Sequence, residues 1–311
     1  MGTIPGYVGG DGRFAPSPSG PLHVGNLRTA LLAWCFARHN PRARFLVRVE
    51  DLDPARSRRE HERGQLEDLR ALGLDWDEDP PVRQSERTGL YREAFQRLER
   101  DDAVYPCWCT RKEIREAASA PHRGAGAYPG TCRRLSARER AAKERSGRPT
   151  AWRLDARRQP VTFIDALHGE QHGTPDDFVV WRGDGVAAYN LAVVVDDAEQ
   201  RIEQVVRGDD LLEGTPRQVL LAERLGLKAP RYAHVPLVLG PDGRRLAKRH
   251  GAVTLADLRA KDVTIEQILA WMAHTSALSA ADEPYTPPLA LATRLDPDRL
   301  SREPTVFAPI A

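Results

Sequence analysis

Arg13-Phe14-Ala15-Pro16-Ser17-Pro18-Ser19-Gly20-Pro21-Leu22-His23-Val24-Gly25-Asn26 brings a guanidinium, a turn of small residues and an imidazole into one short stretch. A turn of this kind feeding a helix leaves backbone N–H groups without intrahelical partners. Such a helix start can receive an anion such as a phosphate. His23 and Asn26 stand where that helix begins, each with a ring or amide N–H to offer. An ordinary strand–turn–helix with a capping serine is the bland alternative. Further on, Glu50 closes an apolar run, Arg207 sits in Val206-Arg207-Gly208-Asp209-Asp210-Leu211, and Lys248 lies in the basic loop Arg244–Gly251. Lysine occurs only at 112, 143, 228, 248 and 261, so a lysine in such a loop is more telling than another arginine. Cys107, Cys109 and Cys132 crowd one region. Three thiols so placed in a reducing compartment point to zinc rather than to a disulfide.

These groups need elements to hold them. Leu27, Ala30, Leu31, Trp34 and Cys35 recur at helical spacing after the first turn, and Phe45-Leu46-Val47-Arg48-Val49 is a β-branched, apolar run. Strand, helix and strand from residue 12 to 50 make the opening βαβ unit of a parallel sheet. Ligands of such sheets sit at the carboxyl ends of the strands, where Arg13 to Ser17 and Glu50 to Asp53 both fall. Residues 56–72 and 87–100 read as amphipathic helices. From Tyr105 to about Pro160 the α/β rhythm is interrupted, and this stretch reads as an insertion with short strands at 151–154 and 161–165. The rhythm resumes with Phe178–Trp181 and Tyr189–Val195. A strand at 202–206, a helix at 215–225, a strand at 234–239 and helices at 254–260 and 264–273 follow. After Ser276 the chain turns rich in Pro and Ala and is expected to add no further folded domain.

A chain of 311 residues with 41% hydrophobic and 29% charged residues has the composition of a folded enzyme. The net charge of +2 gives no global case for nucleic acid, so a polyanionic partner must be held by local patches. Met1–Gly12 has no apolar core of signal-peptide type, and no apolar segment approaches membrane-spanning length. A cytoplasmic monomer with no membrane partner is expected.

Arg13 to Asn26, Val47-Arg48-Val49-Glu50-Asp51-Leu52-Asp53, Val206 to Leu211 and Arg245-Leu246-Ala247-Lys248-Arg249 occur in the order expected of glutamyl-tRNA synthetases. Over roughly residues 11 to 275 the chain resembles the catalytic half of one of these class I enzymes. Ending at residue 311, it has no room for their anticodon-binding domain, and so is most similar to the truncated branch of the family. The resemblance implies an α/β fold: a Rossmann-like parallel-sheet catalytic domain with a zinc-bearing insertion and a short helical C-terminal region. It divides the chain at 11–104, 105–177, 178–243 and 244–311, with a poorly structured tail.

The activity implied is ATP- and Mg²⁺-dependent activation of L-glutamate without tRNA. The glutamyl group would then pass to the queuosine nucleoside in the anticodon of tRNA(Asp). A catalytic fragment acting on tRNA(Glu) and a catalytically silent binding module are the competing readings.

By resemblance, His23, Gly25, Asn26 and Lys248 bind ATP, with His23, Asn26 and Lys248 acting on its phosphates. Asn26 stands where the family has a second histidine. Ala247 and Arg249 replace family serines, which removes hydroxyl contacts and adds a cation. Arg13, Phe14, Ala15, Pro16, Ser17, Glu50, Tyr189 and Arg207 would line the glutamate pocket. Arg13 and Arg207 would take the two carboxylates, Glu50 the ammonium, and Tyr189 would offer its hydroxyl. Two arginines at strand ends facing one crevice have little structural reason without an anion. Pairing with Asp51, Asp53 or Asp209 is the alternative. One structural zinc would be held by Cys107, Cys109, Cys132 and, by resemblance, Tyr128, with His122 as the alternative fourth ligand.

Overall fold

The computed structural model describes residues 9–110, 112–114, 128–246, 251, 253–280, 283–308 and 310. The opening unit is β1 (Gly12–Phe14), α1 (Val24–Arg38) and β2 (Phe45–Val49), with β1 and β2 parallel and Arg13 opposite Leu46. All five residues of β2 are buried, as expected of a parallel strand covered on both faces. β2 also pairs with the short β3 (Val82–Arg83), and two helices, α2 (Arg59–Ala71) and α3 (Thr88–Arg100), flank that connection. Their bounds lie close to those the apolar periodicity predicts.

β1 is the third strand, beside the central β9, of a seven-stranded sheet ordered β3-β2-β1-β9-β10-β6-β7. The other members are β6 (Val161–Asp165), β7 (Gly169–Gly173), β9 (Gln204–Gly208) and β10 (Arg231–Val235). Every pairing is parallel except the β6–β7 hairpin. From β1 the chain builds outward to β2 and β3, and it returns on the other flank with β9 and β10. The crevice at the carboxyl ends of β1 and β9 is therefore the switch point of the sheet, the place where open α/β sheets bind ligands. α1 is buried along nearly its whole length, so it is a core helix rather than the one-faced helix its spacing predicts.

A second sheet of three antiparallel strands is made by β4 (Val104–Cys107), β5 (Ala151–Leu154) and β8 (Val179–Trp181). This revises the strand assignment. The strand predicted at 161–165 as part of the insertion instead joins β10 of the main sheet, and Phe178–Trp181, predicted to resume the main sheet, pairs within the small one. Alternating or apolar runs state that a segment is a strand but not which sheet it joins. Within the insertion, α4 (Ala137–Arg145) begins with a reciprocal cap between Ser136 and Glu139. Tyr189–Val195 opens a helix, α5 (Tyr189–Glu199), despite its three consecutive valines. Helix α6 (Thr215–Arg224) follows β9.

The C-terminal region corrects the expectation of a poorly structured tail. After α7 (Leu255–Arg259) and α8 (Ile265–Thr275) comes α9 (Pro288–Thr293), and β12 (Thr305–Val306) pairs parallel with β11 (Val238–Leu239). Leu291, Ala292, Leu295, Leu300 and Phe307 are buried in the same core as α1. The buried Arg28 of α1 clamps three segments, donating to Pro236 O at 2.6 Å, Thr305 Oγ1 at 2.8 Å and Thr275 O at 3.3 Å. No helix among the described residues is long and apolar enough to cross a membrane.

Candidate active site

β1 and β2 deliver Arg13 and Glu50 to the same end of the sheet, and the backbone N–H of Glu50 ties the two loops by donating to Pro16 O at 3.0 Å. The turn is braced from α2, where the buried Gln65 amide donates to Ser17 O at 3.0 Å and Gly20 O at 2.7 Å. Phe14 and Pro16 are buried, Ala15 is half-buried and Ser17 is exposed at the rim. Arg13 meets Asp197 of α5, Nε to Oδ1 at 3.2 Å, and not Asp51, Asp53 or Asp209. Behind it lies the fully buried Arg48, 2.8 Å from Asp197 and 3.6 Å from both Glu50 and Asp196. Burial opposes ionisation of Asp197, but Arg13 and Arg48 outweigh it and hold the carboxyl below its usual range. Burial pushes Glu50 up to about 7, against the pull of Arg48 and Arg13.

Arg207, the penultimate residue of β9, is also buried, but its surroundings differ. Its Nε donates to His234 Nε2 at 3.0 Å, Nη1 to Gln218 Oε1 at 2.7 Å and Nη2 to Thr215 Oγ1 at 2.8 Å. Among the described residues no carboxylate lies within ion-pair distance of it. Each of these contacts uses one N–H, so both terminal nitrogens keep a second N–H. Tyr189, at the first position of α5, completes the group. Protein around it and the charge of Glu50 raise its phenol pKa, opposed by Arg207 and Arg13. Yet the residue is 44% exposed, as befits a side chain lining a concavity. Arg13, Glu50, Tyr189 and Arg207 thus face one crevice at the switch point.

The start of α1 shows why His23 and Asn26 occur together. His23 Nδ1 accepts from the Asn26 N–H at 3.2 Å, and Asn26 Oδ1 accepts from the His23 N–H at 3.3 Å, a reciprocal helix cap. Burial, reinforced by Arg245, lowers His23 to about 4, so the ring is neutral at pH 7. With Nδ1 accepting, the single ring proton is on Nε2, where it can be donated outward. Gly25 permits this packing: a Cβ there would sit 3.0 Å from His23 Nδ1 and 3.1 Å from Val238 Cβ. The Val24 N–H donates to Val253 O at 2.8 Å, and His23 bridges Thr254. The segment that follows the basic loop is therefore fastened to the helix start. Of that loop, Arg245 pairs with Asp210 at 2.8 Å and Leu246 is buried. Ala247, Lys248 and Arg249 lie outside the described residues.

The three cysteines converge. The sulfurs of Cys107, Cys109 and Cys132 lie within 4.8 Å of one another, and none forms a disulfide. The Tyr128 hydroxyl stands 3.4 Å from Cys107 Sγ and 3.8 Å from Cys109 Sγ. Sulfurs bound to one tetrahedral zinc at about 2.3 Å are separated by about 3.8 Å, and the 3.5 Å between Cys109 and Cys132 is near that value. Three thiols and a phenol oxygen around one point make a donor set that suits zinc. Arg153 backs it, donating to Cys107 Sγ at 3.2 Å with its guanidinium 3.8 Å from the centre of the Tyr128 ring. His122 lies outside the described residues.

Residues 11–284 match the family described as tRNA synthetases class I (E and Q), catalytic domain. The chain belongs to this synthetase family. It is 57% identical over 300 residues to the glutamyl-Q tRNA(Asp) synthetase of Nocardia farcinica, covering 96% of this chain and 94% of that one. It is 49% identical over 306 residues to the protein of the same name from Symbiobacterium thermophilum, covering 94% of each. A crystal structure of the glutamate tRNA ligase of Elizabethkingia meningosepticum, in complex with its amino acid, superimposes with a TM-score of 0.83 at 28% identity. That match covers 97% of this chain and 67% of the other.

Within the synthetase fold, a layer of residues behind the crevice has no motif of its own in the sequence. Asp197, Arg48, Gln65, Asp165, Gln218 and His234 hold the crevice from behind. The adjacent acids Asp196-Asp197 inside an apolar helix were the available signal, because buried carboxylates require partners.

Proposed function

We propose that the protein joins ATP to L-glutamate, giving glutamyl-adenylate and pyrophosphate, and passes the glutamyl group to the queuosine nucleoside in the anticodon of tRNA(Asp). The observation that carries the activation half is Arg207, a buried cation at a strand end whose described partners are all neutral and which keeps two N–H groups. A ligand carboxylate there supplies the missing charge. Arg13, already shared with Asp197, takes the second carboxylate through Nη1, Glu50 in its ionised form takes the ammonium, and Tyr189 closes the crevice at the rim. Phe14, Pro16 and the Ala15 backbone form its floor.

An α-carboxylate oxygen attacks the α-phosphorus of Mg²⁺-bound ATP, the bond to the β-phosphate oxygen breaks, and pyrophosphate leaves. Catalysis of such a step is mostly positioning and stabilisation of charge. The His23 Nε2–H donates to the phosphates, Asn26 holds that ring, Gly25 lets the helix start pack closely, and Lys248 supplies a point charge from the loop. A hydroxyl of the acceptor nucleoside then attacks the acyl carbon, forming an ester and releasing AMP. Zinc held by Cys107, Cys109, Cys132 and Tyr128 is structural, joining the end of β4 to the turn at 128–132. The queuosine acceptor is supported by the chain's similarity to glutamyl-Q tRNA(Asp) synthetases over 94% of their own length.

ATP–pyrophosphate exchange on the purified protein tests the activation step. Glutamate-dependent exchange without added tRNA is expected, and its absence would remove this reading.

A further inference from the structure

Arg207 is aimed by a layer that the proposed chemistry does not name. The Nε of an arginine carries a hydrogen and accepts nothing. Its 3.0 Å contact with His234 Nε2 therefore makes that ring nitrogen the acceptor. The ring proton must then lie on Nδ1, which is 2.6 Å from Asp165 Oδ2. Asp165 is itself fixed: Oδ1 accepts from the backbone N–H of Leu167 at 3.0 Å and His168 at 3.1 Å, and Oδ2 from that of His234 at 3.1 Å. Both side chains are fully buried. Tyr232 stacks on the His234 ring with centroids 5.9 Å apart, and the Arg207 guanidinium carbon lies 5.3 Å from the Tyr232 ring centre.

We infer that Asp165 and His234 are positioning residues for glutamate. Asp165 selects the His234 tautomer that accepts from Arg207 Nε, and so fixes the fork of Arg207 toward the ligand carboxylate. The relay spans β6, β10 and β9, three neighbouring strands of the main sheet, which gives a structural reason for β6 lying beside β10. It also keeps Arg207 unneutralised: an acidic residue in the place of His234 would orient the guanidinium but cancel the charge that a ligand carboxylate needs. The inference depends on Arg207 being the glutamate contact proposed above.

Substituting Asp165→Asn separates orientation from bulk. The Asn oxygen goes where the Leu167 and His168 amides donate, which turns its NH₂ toward His234 Nδ1. His234 must then accept at Nδ1 and carry its proton on Nε2, donor against donor with Arg207 and able to donate only to Thr215 Oγ1, 3.1 Å away. The exchange assay is expected to show the KM for glutamate raised roughly 10- to 100-fold, with the KM for ATP within about twofold. His234→Leu should behave likewise, whereas His234→Gln, whose Oε1 can accept from Arg207, should recover most of the loss. In the His234→Gln background, Asp165→Asn should add little, because no tautomer remains to be set.

Equal glutamate KM for His234→Leu and His234→Gln would overturn the relay. So would an Asp165→Asn penalty of the same size in both backgrounds, since Asp165 would then serve only its own turn. Arg207→Lys tests the underlying reading separately. If it leaves the glutamate KM unchanged, Arg207 is not the contact and the fault lies there; if it raises the KM while Asp165→Asn does not, the relay alone fails.

Discussion

In the proposed site, Glu50 is the residue whose charge decides how the crevice greets an amino acid. Burial places its pKa at about 7 in the free protein, so near neutrality it is only partly ionised. Only the carboxylate attracts an ammonium, so the KM for glutamate in the exchange reaction should fall as pH rises from 6 to 8. Glu50→Gln should raise the KM and flatten that profile; an unchanged profile would show that another group titrates. His23 makes a second prediction. His23→Asn keeps a good helix-capping residue but loses the Nε2 donor, so exchange should fall about 10²- to 10³-fold with little change in melting temperature. Asn26→Ala, which removes the acceptor of the His23 N–H, should cost about 1 kcal/mol of stability and lower exchange less than His23→Asn does. At this scale the residues proposed to meet the ligand were legible, because their types and order suggest the chemistry. Asp197 was less so: Asp196-Asp197 in an apolar helix signals buried acids, but the partner Arg13 lies 184 positions away and is not marked by any local pattern.

The elements divide in the same way. α1, β1 and β2 follow from apolar spacing and β-branching, and the turn before α1 from its small residues. The strand at 161–165 joins the main sheet and not the insertion, because its alternating burial marks it as a strand without saying which sheet it enters. The cysteine cluster lies between these cases, since its members were evident in sequence while their convergence with Tyr128 is seen only in three dimensions. Purified protein should hold about one equivalent of zinc. Tyr128→Phe should weaken retention, and Cys132→Ala should abolish it. Chelation should change the fluorescence of the buried Trp108, between two of the cysteines, while the main sheet keeps its far-ultraviolet signal. A metal content well below one equivalent in fresh protein would refute the site.

In the whole molecule, the last twenty-odd residues complete the core around α1 rather than trailing from it. Their Pro- and Ala-rich composition hid this, because Leu291, Leu295, Leu300 and Phe307 are spaced by neither 2 nor 3.6 residues over a long enough run to be read as an element. Arg28 is the clasp, and burial lowers its pKa to about 10 even with Asp209 nearby. Arg28→Met should remove roughly 2–3 kcal/mol and lower the melting temperature by several degrees, with exchange activity per folded molecule largely kept. An unchanged melting curve would show that the tail is held by its apolar side chains alone.

In the proposed function, this crevice activates glutamate for queuosine rather than for a tRNA 3′ end. Transfer of labelled glutamate, compared among tRNA(Asp) carrying queuosine, tRNA(Asp) without it and tRNA(Glu), measures that directly. Label on the queuosine-bearing tRNA(Asp) alone is the predicted result, and label on tRNA(Glu) alone would contradict it.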